Sequence, residues 1–309
     1  MSVMSVVRAL PLVALAGLAL GCAEDHTDPA AAPVGSDQRY APTGVTREFD
    51  FTIEEMLWEV GPGAIYKGIG YNAQIPGPPI EVDAGDRVVI RLTNGASEPH
   101  SIHTHVVEFT NADDGTHHSI VEPGDTRMFT WDAVYAGTFP YHDHGDEAEG
   151  IARGLFGALI VHAPDEAPAN EHVVILSDFD QTQYQQLPGV ADPETGEFPE
   201  EGTYRGGHQY MHTVNGKAYE DAVPPFVGKV GELSRWRVVS IGEEFHTWHV
   251  HGHRWMDPGS GVLTDNIQLG PGTYTTFEFQ EDNPGDWLVH CHVPSHMEGG
   301  MVANYVVSP

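Results

Sequence analysis

Apolar residues recur along the chain in short runs, alternating or continuous, each closed by Gly, Pro or Asp. Arg87-Val88-Val89-Ile90-Arg91-Leu92 follows Ala84-Gly85-Asp86, and Thr126-Arg127-Met128-Phe129-Thr130-Trp131 follows Pro123-Gly124-Asp125. β-Branched and aromatic side chains fit a pleated surface, while Gly, Pro and Asp favour the turns between strands. Beyond residue 22 no long segment carries apolar positions at the helical period of ~3.6 residues. The pattern predicts an all-β chain whose units, about 120 residues each, fold as Greek-key β-sandwiches. A Pro-rich linker, 163–169, precedes Glu171-His172-Val173-Val174-Ile175-Leu176, which reads as the opening strand of a second unit.

The chain repeats itself. Pro78-Pro79-Ile80 returns as Pro224-Pro225-Phe226, Gly85-Asp86 as Gly231-Glu232, and His100, His103 and His105 as His246, His249 and His251, all at an offset of 146. After a two-residue insertion the offset becomes 148: Pro123-Gly124 matches Pro271-Gly272, Gly137 matches Gly285, and His142 and His144 match His290 and His292. So steady an offset predicts two homologous domains, assigned to 46–165 and 166–309.

Residues 1–22 carry one charge, Arg8, then an apolar run from Ala9 to Leu20 ending in Gly21-Cys22. This is the layout of a secretory signal peptide, too short for a flanked membrane span. Ala19-Leu20-Gly21-Cys22 is similar to a bacterial lipobox but has Ala19 where leucine is usual, so a lipid anchor at Cys22 and plain cleavage both stay open. Residues 23–45 read as a flexible tether rich in Ala, Pro, Asp and Gly. On this reading the folded part is exported, to the periplasm or the cell surface. Cys291 then has no disulfide partner within the chain, and an exported free thiol needs another role.

A hydrophobic fraction of 40% supplies a core and excludes a disordered chain. With 14 basic against 45 acidic residues the net charge is −31, which speaks against nucleic acid as a partner. Lys67, Lys217 and Lys229 are the only lysines, so the acidic surface serves solubility, salt adaptation or the attraction of cations. The 19 histidines stand out in such a chain.

Most of them fall in four clusters: His103-Thr104-His105, His142-Asp143-His144, His246-Thr247-Trp248-His249-Val250-His251, and His290-Cys291-His292 followed by His296 and Met301. Side chains alternate along a strand, so each H-x-H pair directs two imidazoles to one face, and Cys291 points away from His290 and His292. One strand can therefore join two metal sites. Cys291, His246 and His296 with Met301 form the His₂Cys set with a weak axial methionine that suits type 1 (blue) copper and one-electron transfer. In the first unit His100 is kept, but Asp143, Ala148 and Arg153 stand where Cys291, His296 and Met301 would be, so that unit should hold no such copper. Zinc is the competing metal, although its sites are usually isolated and four-coordinate. His26, His117, His118, His162, His172, His208 and His212 read as surface or satisfied core residues, and His253 as a support for ligands.

Phe245-His246-Thr247-Trp248-His249-Val250-His251-Gly252-His253-Arg254-Trp255 and His290-Cys291-His292-Val293-Pro294-Ser295-His296 resemble the third and fourth copper motifs of the multicopper oxidases, in their two-domain small-laccase form. Gly150-Ile151-Ala152-Arg153-Gly154-Leu155-Phe156-Gly157 is similar as well, and the resemblance covers nearly all of 46–309. It implies two cupredoxin-like domains in tandem and four copper ions per active unit. The type 1 ion falls to His246, Cys291, His296 and Met301, and the type 2 ion to His103 and His249. The type 3 pair falls to His105, His142, His144, His251, His290 and His292, three to each ion. The implied activity is laccase-like: one-electron oxidation of phenols or aromatic amines at type 1 copper, with electrons passing through Cys291 to His290 and His292. At the trinuclear cluster O₂ is reduced to two waters. The axial Met301 implies a lower potential and easily oxidised donors. The resemblance also implies a homotrimer, each cluster lying between the first domain of one chain and the second of the next.

Some positions depart from the family. Val106 follows the first motif where glycine is common, and Pro294 stands where many larger members have an acid that delivers protons. Asp114 is the candidate proton donor instead, its alternative being a turn aspartate. The loop from His251 to Leu263 is short, which is expected to open a substrate face near His246 and His296. Oxidation of Cu⁺, Fe²⁺ or Mn²⁺, and non-catalytic copper storage, are the alternative functions. Storage would not need Cys291 between His290 and His292. A copper nitrite reductase would need a cysteine where Asp143 stands.

Overall fold

The computed structural model describes residues 38–61, 64–180 and 210–309. The signal peptide, the lipobox, residues 23–37 of the expected tether, His26 and His208 lie outside them.

In the first sandwich, β1 (Thr46–Gly61), β2 (Ala64–Tyr71), β4 (Arg87–Asn94) and β6 (Thr126–Asp132) form a sheet in the order β2-β1-β4-β6. It faces β3 (Ile80–Asp83), β5 (His103–Thr104), β7 (Gly137–His142) and β8 (Phe156–His162), in the order β3-β8-β7-β5. The second sandwich repeats this plan. Its β9 (Asn170–Asp180), β10 (Tyr210–Val214), β12 (Leu233–Ser240) and β17 (Tyr274–Gln280) run β10-β9-β12-β17. Facing them are β11 (Phe226–Lys229), β13 (His246–Val250), β16 (Asn266–Leu269), β18 (Gly285–His290) and β19 (Val302–Ser308), in the order β11-β19-β18-β13-β16. The parallel pairs β1–β4 and β3–β8 recur as β9–β12 and β11–β19. A small hairpin, β14 (Trp255–Met256) with β15 (Leu263–Thr264), is added in the second. The chain is thus two cupredoxin-like β-sandwiches on one duplicated plan, to which the second adds β16 and the hairpin. Among the described residues helix is confined to α1 (Glu147–Arg153), α2 (Pro294–Glu298) and a 3₁₀ turn at Asn111–Asp113.

Alternation sets the inner faces: β4 buries Val88, Ile90, Leu92 and Asn94 while its intervening residues are exposed or half-buried. Trp131, Trp236 and Trp248 are fully buried, each contributing on the order of 3 kcal/mol. Strands β7 and β8 are buried along almost their whole length instead. Their outer face is covered by the second sandwich, so both faces are dry. A third apolar cluster, including Trp58, Phe156, Phe179, Met211 and Ile241, draws on both sandwiches. Beside it, the fully buried Arg237 holds Glu166 at 2.7 Å and Glu171 at 2.6 Å, and reaches Thr138 of β7 at 3.2 Å. Burial works against ionising Glu171, but Arg237 and Arg235 overcome it and hold its carboxyl at about 2. The predicted linker is therefore pinned through Glu166.

The end of the expected tether is pinned too, which corrects that reading for residues 38–45. The Tyr40 N–H donates to the Val134 carbonyl at 2.8 Å and its ring packs on the first core, while Arg39 grips Glu108 at 2.7 Å. An aromatic ring and a bidentate guanidinium find partners that composition does not reveal.

Candidate metal centres

Strand β18 ends at His290, and Cys291 turns to the inside of the second sandwich. Helix α2, opened by Pro294, then folds His296 back over it, and the chain closes through the Cys291 N–H on the Met301 carbonyl (3.1 Å) and the Met301 N–H on the His296 carbonyl (2.9 Å). His246 arrives from the start of β13. The His246 and His296 Nδ1 atoms are 3.2 Å apart, and the His296 Nδ1 lies 3.7 Å from the Cys291 Sγ. Three donors, each ~2.0–2.3 Å from one ion at trigonal angles, need about this spacing. Cys291 and Met301 are fully buried in one core cluster. Burial raises the Cys291 thiol, yet hydrogen bonds with His246, His296 and the Thr247 N–H prevail and hold it at about 5, so the site favours a thiolate. His246 is raised to about 9 despite its burial, through Asp178 at 3.3 Å from its Nε2 and through Cys291.

The paired histidines sit where strands end rather than within them, which refines the alternation argument. His142 and His290 are the last residues of β7 and β18, and His105 and His251 lie just past β5 and β13. Past the ladder, carbonyls are left to accept from imidazoles. His142 Nδ1 donates to the Asp143 carbonyl and His290 Nδ1 to the Cys291 carbonyl, both at 2.8 Å. His103 Nδ1 donates to the Asp114 carbonyl at 2.6 Å, and His249 Nδ1 to the Asp265 carbonyl at 2.7 Å. Each bond fixes a neutral tautomer with Nε2 presented outward as a ligand. Burial, together with the neighbouring imidazoles, lowers His105 and His142 to about 4, which keeps them unprotonated.

Two quartets result. His103, His105, His142 and His144 form one, with neighbouring ring centroids 5.2–5.8 Å apart. His249, His251, His290 and His292 form the other, at 4.7–5.5 Å. Each contains one close pair: His105 and His142 Nε2 are 3.3 Å apart, and His251 and His290 Nε2 are 3.0 Å apart. The expected separation across Cys291 is present, with its thiol in one site and its flanking rings in the other.

In the first sandwich Asp143 occupies the counterpart of Cys291. Its Oδ2 meets His100 Nδ1 at 2.8 Å and its Oδ1 accepts the Ser101 N–H at 2.7 Å, while Ala148 and Arg153 lie on α1, the counterpart of α2. Gly150 leaves room for it, since a Cβ there would fall 2.2 Å from Asp143 Oδ2. A hydrogen-bonded pair thus replaces the donor set.

Other expectations change. The short loop does not expose His246 and His296: both rings are buried, and His296 Nε2 is covered by Glu244 at 3.2 Å. The short loop after His251 forms the β14–β15 hairpin and leads to Asp265, which braces His249; it belongs to the quartet end. His212, read as unremarkable, stacks on His296 with centroids 4.0 Å apart and 11° between planes, and its Nε2 meets Glu244 at 2.6 Å. No local signal marks His212, Glu244, Asp178 or Asp265; strand pairing and the turns that follow the strands bring them in. His253 supports rather than ligates, its Nδ1 donating to the His251 carbonyl at 2.7 Å. Asp114 orients His103 through its backbone, its carboxylate lying 3.4 Å from the same Nδ1.

Val106 has φ +67°, the left-handed region where a β-branched residue is strained, and the Val107 N–H closes a tight turn on the His105 carbonyl at 2.9 Å. This is where the family commonly has glycine. Asn tolerates the conformation, and Val106 is half-exposed. Val106→Asn is therefore expected to raise unfolding stability by about 1 kcal/mol, read as an increase in Tm; an unchanged or lower Tm would contradict the strain.

The duplicated cupredoxin-like fold that carries these donor sets is found in known proteins. The sequence profiles of the multicopper oxidases match residues 52–166 and 188–309, and the chain belongs to that family as a two-domain member. A solved structure described as a multicopper oxidase superposes with a TM-score of 0.72 at 27% identity, over 90% of this chain and 96% of that one. The blue copper oxidase of Nitrosomonas europaea gives 0.71 at 28% identity, over 85% of this chain and 86% of its own. Ceruloplasmin of Mus musculus is 31% identical over 266 residues, 76% of this chain but 24% of its own length. A probable nitrite reductase-hydroxylamine oxidoreductase fusion protein of Kuenenia stuttgartiensis is 33% identical over 269 residues, 81% of this chain and 30% of its own. The chain spans less than a third of these two curated relatives.

Proposed function

We propose that this multicopper oxidase is of laccase type, acts outside the cytoplasm, and couples oxidation of a small phenolic or aromatic donor to reduction of O₂ to water. One observation carries the reading: His290-Cys291-His292 directs its thiol into a His₂Cys pocket and its two imidazoles into a four-histidine half-site. Copper bound in these sites would supply one-electron oxidation at the thiolate centre and four-electron reduction of O₂ at the histidine centre. The residues prepare both. Asp178 and Glu244 hold the outer nitrogens of His246 and His296, and four backbone carbonyls hold His103, His142, His249 and His290 in their ligand tautomers.

Each quartet supplies one close pair and two single rings. Two quartets facing each other give three histidines to each of two ions, and His103 with His249 to a third. Among the described residues of one chain no ring contact joins a member of one quartet to a member of the other, which supports assembly between chains in a closed homotrimer. A second reading, oxidation of a metal cation, is favoured by the His212–Glu244–His296 donor group on the outer edge of the thiolate site.

Purified, fully metallated protein is expected to hold four copper ions per chain, to be blue, and to consume O₂ with a phenol or aromatic amine faster than with Fe²⁺ or Cu⁺. One copper per chain, or a colourless complex consuming no O₂ with any donor, would refute the oxidase. Faster uptake with a metal ion would select the second reading.

A further inference from the structure

We infer that the cavity between α1 and the end of β9 binds the reducing substrate and selects phenolic rings, catechols among them, that carry a positively charged side chain. The inference rests on the laccase reading above. The cavity has a volume of about 320 Å³. That is near the lower end of small-molecule sites, ~300–1,000 Å³, with room for one substituted ring. Ala148, Ile151 and Ala152 of α1 supply an apolar wall. Among the described residues, the charged ones lining it are all acidic: Glu147, Asp178, Asp180 and Glu243. Their field shows on Tyr210, which also lines the space. Its hydroxyl is raised first by burial and then by Asp180, Glu244, Glu243 and Asp178. An aromatic ring with a cationic arm matches an apolar wall set against carboxylates; an anionic arm is repelled.

Asp178 connects this space to the thiolate centre. It is 6% exposed, accepts the Glu243 and Glu244 N–H groups at 3.2 and 3.4 Å, and lies 3.3 Å from His246 Nε2. Gly242, at φ +127°, permits this approach, since a Cβ there would fall 2.3 Å from Asp178 Oδ1. A donor resting on Asp178 is separated from the His246 imidazole by a single hydrogen-bonded carboxylate. The other ligand edge, His296 Nε2, is closed by Glu244 and stacked by His212. For a catechol, each molecule gives up two electrons and two protons to become a quinone. Two catechols thus match one O₂ reduced to two waters.

The test uses the full copper-loaded chain and three 4-substituted catechols whose side chains differ in charge: dopamine (positive), 4-methylcatechol (neutral) and 3,4-dihydroxyphenylacetate (negative). Oxygen uptake should give kcat/KM in that order at low salt, with about tenfold between the ends, narrowing as salt rises. The double variant Asp180→Asn with Glu243→Gln should shrink the ratio to about twofold. Calorimetry should show that 4-methoxyphenethylamine, which is not readily oxidised, binds the wild type and that 4-methoxyphenylacetate binds at least about tenfold more weakly. Ile151→Trp, which fills the cavity, should abolish that binding. Equal kcat/KM for the three catechols, or a ratio unmoved by the double variant, overturns the inference even while O₂ is consumed. If the amine binds as described but no donor supports O₂ uptake, the cavity stands and the oxidase reading fails.

Discussion

Cys291→Ser is expected to remove the blue colour and to lower oxygen uptake with every donor by on the order of a thousandfold, while three of four coppers per chain remain bound. Serine is close to cysteine in size, so the buried position is filled, and His246, His296 and Met301 stay in place. What is lost is the thiolate. The wild-type thiol is held at about 5 against the cost of burial by His246 and His296, whereas a serine hydroxyl stays protonated and is a hard donor. The quartet should survive because His290 Nδ1 is held by the Cys291 backbone carbonyl, which serine retains. Copper analysis, the visible spectrum and oxygen uptake on one preparation read all three consequences. Phenol oxidation at the wild-type rate by this variant would contradict the assignment of Cys291 as the link between the sites.

Two inactive chains are expected to restore each other. One carries His103→Ala with His105→Ala and lacks a working first-domain quartet; the other carries His249→Ala with His251→Ala and lacks the second-domain quartet. Alone, each should form trimers without a complete cluster. In a mixed ring, one junction brings an intact first-domain quartet against an intact second-domain quartet. About three quarters of randomly assembled trimers are mixed, with about one whole cluster in three, so co-expression should recover about a quarter of wild-type turnover. The recovered cluster is still served by its own thiolate centre, because Cys291 belongs to the chain that contributes the intact His290 and His292. If each cluster were built within one chain, the mixture would be as inactive as its parts. Turnover per chain after co-purification with two different tags separates these outcomes.

The duplication was legible in the sequence because offsets of 146 and 148 hold across turn residues and histidines alike, and it reappears as matched sheet orders and matched parallel pairs. The His₂Cys set was legible for a similar reason. The alternation of side chains about Cys291 needs only local geometry, and His246 lies one repeat after His100. The residues around these donors were not legible. His212 is one histidine in a short strand, and its stacking on His296 depends on β10 pairing with β9 and on α2 folding back toward it. Asp178 and Glu244 reach the two ligand rings only through the turn at Gly242, whose missing side chain admits the carboxylate. The short loop after His251 does not uncover the thiolate site, because loop length does not tell which end of the sandwich a loop caps.

Side-chain type and spacing predicted, without any fold, that the thiol and its flanking imidazoles point to different sites, because an extended backbone sends successive side chains to opposite sides. The all-β architecture followed from the same local rules, and the family from the resemblance of the four histidine motifs. Only the packed structure decided what surrounds those donors: which carbonyls fix the tautomers of His103, His142, His249 and His290, and which carboxylates cover the outer nitrogens of His246 and His296. Those contacts join residues far apart in sequence, and their geometry exists only once the sheets have paired and the two sandwiches have closed on each other.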